Sequence, residues 1–136
     1  MATLLHLSFR VKDPARSAAL YAEILDGHVV DIGPPLDTIG VKGVCFGRHA
    51  ENPLLDQLEL WPAGKHWAKG GFTDVDPAGA PFGHLAIESD KSHEDLEIIA
   101  RKHGVTLRRE ERGLPDLVSV IYDHEGNFVE VFPPRS

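Results

Sequence analysis

The segments LELWP (residues 58–62) and VEVFP (residues 129–133) follow one pattern. Each places a glutamate, Glu59 or Glu130, between two aliphatic residues and ends with an aromatic residue and a proline. A carboxylate is costly to bury within an apolar strand unless it is paired or binds a metal ion. The repeated pattern therefore indicates that both carboxylates have partners.

Histidines open the two halves of the chain in a matching way. HLSFRV begins at His6 and HLAIES begins at His84, and each leads through a polar turn into an amphipathic helical pattern that ends near glycine. His6 precedes Glu59 by 53 positions, and His84 precedes Glu130 by 46 positions. A histidine followed by a glutamate thus occurs in the same order in both halves, which predicts a duplicated unit.

Local signals place one helix in each half. Asp13 is the predicted N-cap of a helix that has Pro14 at its first position, continues over residues 15–25 and stops at Gly27. Ser92, with Asp95 three residues later, is predicted to cap the second helix. Segments with period-two alternation surround both helices and predict strands.

Each half is thus predicted as a βαβββ module, which makes the fold class α+β. The first module covers residues 1–62 and the second covers residues 82–136, within a single domain of residues 1–136. Residues 63–81 are rich in Gly, Pro and Ala and are predicted to connect the two modules.

Side chains alternate across a strand, so each predicted strand has two different faces. His6, Glu59, His84 and Glu130 all lie on the face opposite the aliphatic residues of their strands. Trp61 and Phe128 share that face, which is typical of a cavity wall. Imidazole and carboxylate groups suit nickel, zinc, cobalt, iron or manganese. The four residues therefore predict a site for one divalent metal ion.

Composition limits the other functions. The formal net charge is −7 and no run of Lys or Arg is present, which argues against nucleic acid as a partner. Cys45 is the only cysteine, so an intrachain disulfide is excluded. The sequence shows neither a signal-peptide pattern nor an apolar run of membrane-spanning length, so we expect a cytoplasmic protein without a membrane partner.

These motifs resemble the vicinal oxygen chelate superfamily, which includes glyoxalase I, bleomycin-resistance proteins and extradiol dioxygenases. LLHLSFRVKD (residues 4–13) is similar to a glyoxalase first strand, and DHEGNFVEVF (residues 123–132) is similar to the ending of the family. The resemblance is closest to glyoxalase I-like members. It implies two βαβββ modules that form a cupped mixed sheet around a metal site.

The resemblance also implies roles for single residues. The metal ligands would be His6, Glu59, His84 and Glu130, with nickel or zinc as the first expectation. Arg10 would hold a substrate anion, as the family arginine holds the glutathione carboxylate. Trp61 and Phe128 would contact an aromatic part of the substrate.

The implied activity is metal-assisted proton transfer on a small substrate that chelates through two neighbouring oxygens, as in a lactoylglutathione lyase. Glu130 is the first candidate base and Glu59 the second. The glutathione site departs from the family pattern, because Leu60–Trp61–Pro62 lacks the usual asparagine and REERGLPD (residues 109–116) carries acids and a proline.

An extradiol-type dioxygenase and a metal-free small-molecule binding protein of the bleomycin-resistance kind are the alternatives. The resemblance further implies a homodimer, whose modules pair either within one chain or across two chains.

Overall fold

The computed structural model describes residues 4–47, 57–68, 71–74, 82–112 and 116–134 of the 136-residue chain. Contacts between Cα atoms divide the chain into two compact units, Met1–Pro81 and Phe82–Ser136. Among the described residues, no helix has the length and apolar content needed to cross a membrane.

The first unit contains a four-stranded mixed sheet with the spatial order β1-β4-β3-β2. Its strands are β1 (His6–Val11), β2 (His28–Val30), β3 (Lys42–Cys45) and β4 (Gln57–Pro62). β1 and β4 are parallel, whereas β3 is antiparallel to both of its neighbours. The first and last strands of this sheet are therefore direct neighbours.

The helix α1 (Pro14–Leu25) begins as predicted. The Asp13 side chain accepts a hydrogen bond from a backbone N–H of the first turn at 3.1 Å, which confirms the predicted N-cap. At the other end, Asp26 takes the left-handed conformation with a φ of 52°, one position before the predicted stop at Gly27. Aspartate tolerates this conformation better than most residues do. Glycine is required at position 27 for a steric reason, because a Cβ there would lie 2.3 Å from the carbonyl oxygen of Cys45.

A short hairpin follows the first sheet. Its strands β5 (Lys65–Ala68) and β6 (Gly71–Asp74) pair in antiparallel fashion. The connection predicted over residues 63–81 thus contains regular structure, which its Gly- and Pro-rich composition did not indicate. Residues 69–70 and 75–81 of that connection lie outside the described residues.

The second unit repeats the plan of the first, and its sheet has the spatial order β7-β10-β9-β8. Its strands are β7 (His84–Glu88), β8 (Leu107–Glu110), β9 (Val118–Tyr122) and β10 (Phe128–Phe132). β7 and β10 are parallel, and β9 is antiparallel to both β8 and β10. The first and last strands are again neighbours.

The helix α2 (His93–His103) has a complete capping box. Ser92 Oγ accepts a hydrogen bond from the backbone N–H of Asp95 at 3.0 Å, and the Asp95 carboxylate accepts one from the backbone N–H of Ser92 at 2.9 Å. This confirms the predicted helix start. The helix ends at His103, and the C-cap that follows it, Gly104, is left-handed with a φ of 67°.

A tight turn sets the entry into β10. Asp123 is buried, and its Oδ1 accepts hydrogen bonds at 2.9 Å from the backbone N–H groups of Glu125, Gly126 and Asn127. Gly126 has a φ of 107°, which favours glycine. The turn therefore fixes where the strand that carries Glu130 begins.

The closing strands bury their aliphatic residues, and Glu59 and Trp61 on the opposite face of β4 are buried as well. Leu58 and Leu60 of β4 are fully buried, and Val129 and Val131 of β10 are buried as well. Each unit thus contains a four-stranded mixed sheet and one α-helix in the order βαβββ, which confirms the predicted α+β fold class.

Candidate metal centre

The His and Glu residues of the two units occupy equivalent places in the strand register. His6 is paired with Gln57 across β1 and β4, and Glu59 lies two residues beyond Gln57. In the second unit, His84 is paired with Phe128, and Glu130 lies two residues beyond Phe128. Residues that are two apart on a strand share a face, so each His and its Glu are diagonal neighbours on one face.

This diagonal brings the polar atoms close together. His6 Nε2 lies 3.5 Å from Glu59 Oε1, and His84 Nε2 lies 3.8 Å from Glu130 Oε1. The imidazole side chains are 49% and 59% exposed, whereas the side chains of Glu59 and Glu130 are 8% and 11% exposed. Each pair therefore joins a buried carboxylate to an accessible imidazole.

The geometry of both pairs fits a divalent ion. Ligand atoms bound about 2.1 Å from such an ion lie roughly 3.0–3.4 Å apart at octahedral or tetrahedral angles. The observed separations of 3.5 and 3.8 Å need only small side-chain movements to reach this range. Within the described residues, no group of three or more His, Cys, Asp or Glu side chains is arranged to hold a metal ion.

Neutral donors surround the carboxylate of Glu59. Trp61 Nε1 donates a hydrogen bond to Glu59 Oε1 at 3.0 Å, and Ser8 Oγ donates to the same oxygen at 3.4 Å. The guanidinium of Arg10 lies over the Trp61 ring, 5.0 Å from its centroid. Burial lowers the pKa of Arg10, and the charge of Glu59 opposes this change in part. An arginine and an indole thus accompany the first pair.

A cation contacts the carboxylate of Glu130 directly. Arg112 Nε lies 2.5 Å from Glu130 Oε2, and a terminal nitrogen of the same guanidinium lies 2.7 Å from Glu110 Oε2. Tyr122 Oη donates a hydrogen bond to that Glu110 oxygen at 2.8 Å. Burial acts to lower the pKa of Arg112, but the hydrogen bonds and charges of Glu130 and Glu110 outweigh this and raise the pKa.

Aromatic rings support the second pair. The rings of His84 and Phe128 are stacked, with centroids 4.9 Å apart and an interplanar angle of 6°. Tyr122 packs against Phe128 at a centroid distance of 5.5 Å, and Arg112 lies 5.9 Å from the Phe128 centroid. Phe128 therefore restricts the orientation of the His84 imidazole.

The structure brings together His6 with Glu59 and His84 with Glu130, and their role as ligands stays a prediction. Trp61, predicted to contact substrate, is 2% exposed, and its indole N–H is engaged by Glu59. Arg10 and Phe128 are both half-buried beside the pairs.

Sequence reasoning missed Arg112, which contacts Glu130 from 18 residues away. The nearest signal in the sequence is the mixture of charges in REERGLPD, which also departs from the glutathione-site pattern.

Comparison with known proteins identifies the class. The family model "Glyoxalase/Bleomycin resistance protein/Dioxygenase superfamily" matches residues 3–131, so the chain belongs to this superfamily. Members of this class commonly use a divalent metal ion, bind small molecules and form dimers. A comparison with curated protein sequences gives no significant match.

Solved structures of varied function share the fold. The fosfomycin resistance protein FosX from Mesorhizobium loti has 16% identity and a TM-score of 0.61, with 99% of this chain and 94% of that chain covered. The oxidase ChaP-H2 has 18% identity and a TM-score of 0.60, with 99% and 95% covered. The trypanothione-dependent glyoxalase I of Leishmania major has 20% identity and a TM-score of 0.56, with 98% and 87% covered. At these identities the likeness establishes the fold alone.

Proposed function

We propose that this chain is a glyoxalase-like metalloenzyme that catalyses proton transfer, as an isomerase or lyase, on a small substrate with two neighbouring oxygens. The observation that supports this most is the repeated diagonal of His and Glu, which has the same register in both modules. A chance ion pair on one sheet would not recur at the equivalent place on the other. The proposed setting is cytoplasmic, and the proposed assembly is a homodimer.

The proposed ligand set has two residues from each module, provided by one chain or by two chains of the dimer. His6 and Glu59 form one half of the set, and His84 and Glu130 form the other. Two carboxylates balance the charge of one divalent ion, with nickel or zinc first and cobalt, iron or manganese next. When bound, this ion supplies Lewis acidity that stabilises negative charge on the two substrate oxygens.

The chain itself provides the base and the anion site. Glu130 is the first candidate to take a proton from the carbon beside a carbonyl and return it to the adjacent carbon, and Glu59 is the second. A positioned base of this kind contributes roughly 10²–10⁴-fold to the rate. Arg10, over the Trp61 ring, would bind an anionic group of the substrate, which includes a glutathione adduct.

The test is elemental analysis of protein purified without chelators or a metal-affinity tag. Wild type is compared with Glu130→Gln and with Glu97→Gln, a control that changes an exposed glutamate paired with Arg101 on α2. We expect near-stoichiometric divalent metal in wild type and in the control, and a clear loss in Glu130→Gln. No metal uptake by wild type from nickel, zinc, cobalt or iron solutions would overturn the proposal and favour a metal-free binding protein.

The identity of the metal selects the activity assay. Nickel or zinc leads first to the hemithioacetal of methylglyoxal and glutathione, with formation of the thioester as the readout. Ferrous iron leads instead to catechol substrates and oxygen consumption, which would favour the extradiol-type dioxygenase.

A further inference from the structure

The two carboxylate oxygens of Glu130 have different partners. Oε1 lies 3.8 Å from His84 Nε2, whereas Oε2 lies 2.5 Å from Arg112 Nε. Arg112 therefore engages the oxygen that does not face the imidazole. A metal ion between His84 and Oε1 would leave the contact with Arg112 intact.

Arg112 is itself held from two further sides. Its terminal nitrogen binds Glu110 at 2.7 Å, and Glu110 also accepts the hydrogen bond of Tyr122. The guanidinium lies over the Phe128 ring, which stacks on His84. The Arg112 side chain is 28% exposed, so it is partly shielded from bulk water. A guanidinium with fixed partners on several sides is preorganised and loses little conformational freedom when it orients a carboxylate.

Glu59, the corresponding carboxylate of the first module, has different hydrogen-bond partners. Glu59 Oε1 receives hydrogen bonds from Trp61 and Ser8, which are both neutral, and this is also the oxygen that faces His6. In the second module a guanidinium contacts the oxygen that does not face the imidazole, so Arg112 acts on a different oxygen from the one that Trp61 and Ser8 bind in the first module.

We propose that Arg112 is a positioning residue, which holds Oε2 of Glu130 so that Oε1 faces His84, where these two residues would hold the metal ion. This inference rests on the proposed function, because it assumes that Glu130 is a ligand. Groups that orient a metal ligand typically change metal affinity by about 10–100-fold when they are removed. The opposite arrangement, in which Arg112 competes with the ion for Glu130, predicts the opposite sign.

The experiment measures the affinity of the full-length protein for Zn²⁺ and Co²⁺ by competition with a chromophoric chelator. Arg112→Gln is compared with wild type and with Arg101→Gln, a matched control whose arginine pairs with Glu97 on the surface of α2. We expect Arg112→Gln to bind both ions about 10–100-fold more weakly and Arg101→Gln to bind them as wild type does. The visible absorption of bound Co²⁺ should also change in Arg112→Gln, because a reoriented carboxylate alters the ligand field.

A second variant tests the chain of contacts. Glu110→Gln weakens the anchor of Arg112, so it should reduce metal affinity by a smaller factor than Arg112→Gln. The double variant should bind no more weakly than Arg112→Gln alone, because Glu110 acts through Arg112. If Arg112→Gln does not fold, Arg112→Met retains the aliphatic stem beside Phe128 and carries the same expectation.

The outcomes separate this inference from the proposed function. Unchanged or tighter metal binding in the Arg112 variant, beside normal binding in wild type, would overturn the positioning role and leave the metal site standing. A wild type that binds neither ion would overturn both. Weaker binding with an altered Co²⁺ spectrum supports the role of Arg112.

Discussion

The hydrogen bond between Trp61 and Glu59 should make a large contribution to the stability of the first module. Trp61 is 2% exposed and Glu59 is 6% exposed, so the bond of 3.0 Å lies out of contact with bulk water. Replacing Trp61 with phenylalanine keeps a ring beneath Arg10 but removes the indole N–H. The carboxylate then loses a donor that water cannot easily replace.

A double-mutant cycle isolates this bond from the change in ring size. The four proteins are wild type, Trp61→Phe, Glu59→Leu and the double variant. A hydrogen bond to a charged group contributes about 1.5–3 kcal/mol, so we expect a coupling energy in that range. The assay is urea unfolding followed by far-ultraviolet circular dichroism, because Trp61 is one of two tryptophans and its removal changes the fluorescence.

A coupling energy below about 0.5 kcal/mol would refute this reasoning, since sites without interaction add within that margin. The two residues would then stabilise the module independently.

Three further predictions concern residues outside the proposed ligand set. Gly27→Ala would place a Cβ 2.3 Å from the carbonyl oxygen of Cys45, so urea unfolding should show a loss of about 1–3 kcal/mol; an unchanged midpoint would contradict the close approach. Ser92→Ala removes the side-chain cap of α2 and should cost about 1 kcal/mol in thermal unfolding, whereas an equal melting temperature would deny the capping box a role. The hydrogen bond from Tyr122 is the largest cause that lowers the pKa of Glu110 below its ordinary value of 4.5. A lowered folded-state pKa contributes stability above pH 4.5, and this is lost as the pH falls towards the folded-state pKa. Unfolding at a series of pH values should therefore show a shallower acid limb for Glu110→Gln, and a curve parallel to wild type would contradict this.

Local sequence signals were sufficient to predict most of the fold. The dipeptide Asp13–Pro14 and the spacing of Ser92 and Asp95 marked both helix starts, because caps depend on side chains within one turn. The alternation around Glu59 and Glu130 also placed them opposite the aliphatic residues. These features involve neighbours in sequence, so no knowledge of the tertiary structure was needed.

The contacts of the candidate site needed the structure. Period-two alternation gives the face of a strand but not the depth at which it lies. Trp61 is almost fully buried, and its contact with a substrate stays a prediction. Arg112 lies just after the end of β8, whereas Glu130 lies in the middle of β10. The pattern of charges in the sequence does not specify which distant residues become partners. The position of Asp26 depends on how the chain turns into β2, which also lies beyond local pattern.

The register between β1 and β4, and the equivalent register between β7 and β10, determine that each His lies diagonal to its Glu. A shift of β4 by one residue would turn Glu59 into the aliphatic layer and bring Leu58 to the opposite face. Burial of the aliphatic residues thus also fixes the positions of the His and Glu residues on the opposite face. Substitutions of the His and Glu residues themselves leave that layer untouched. The same fold can therefore carry different residues at these positions and acquire a different chemistry.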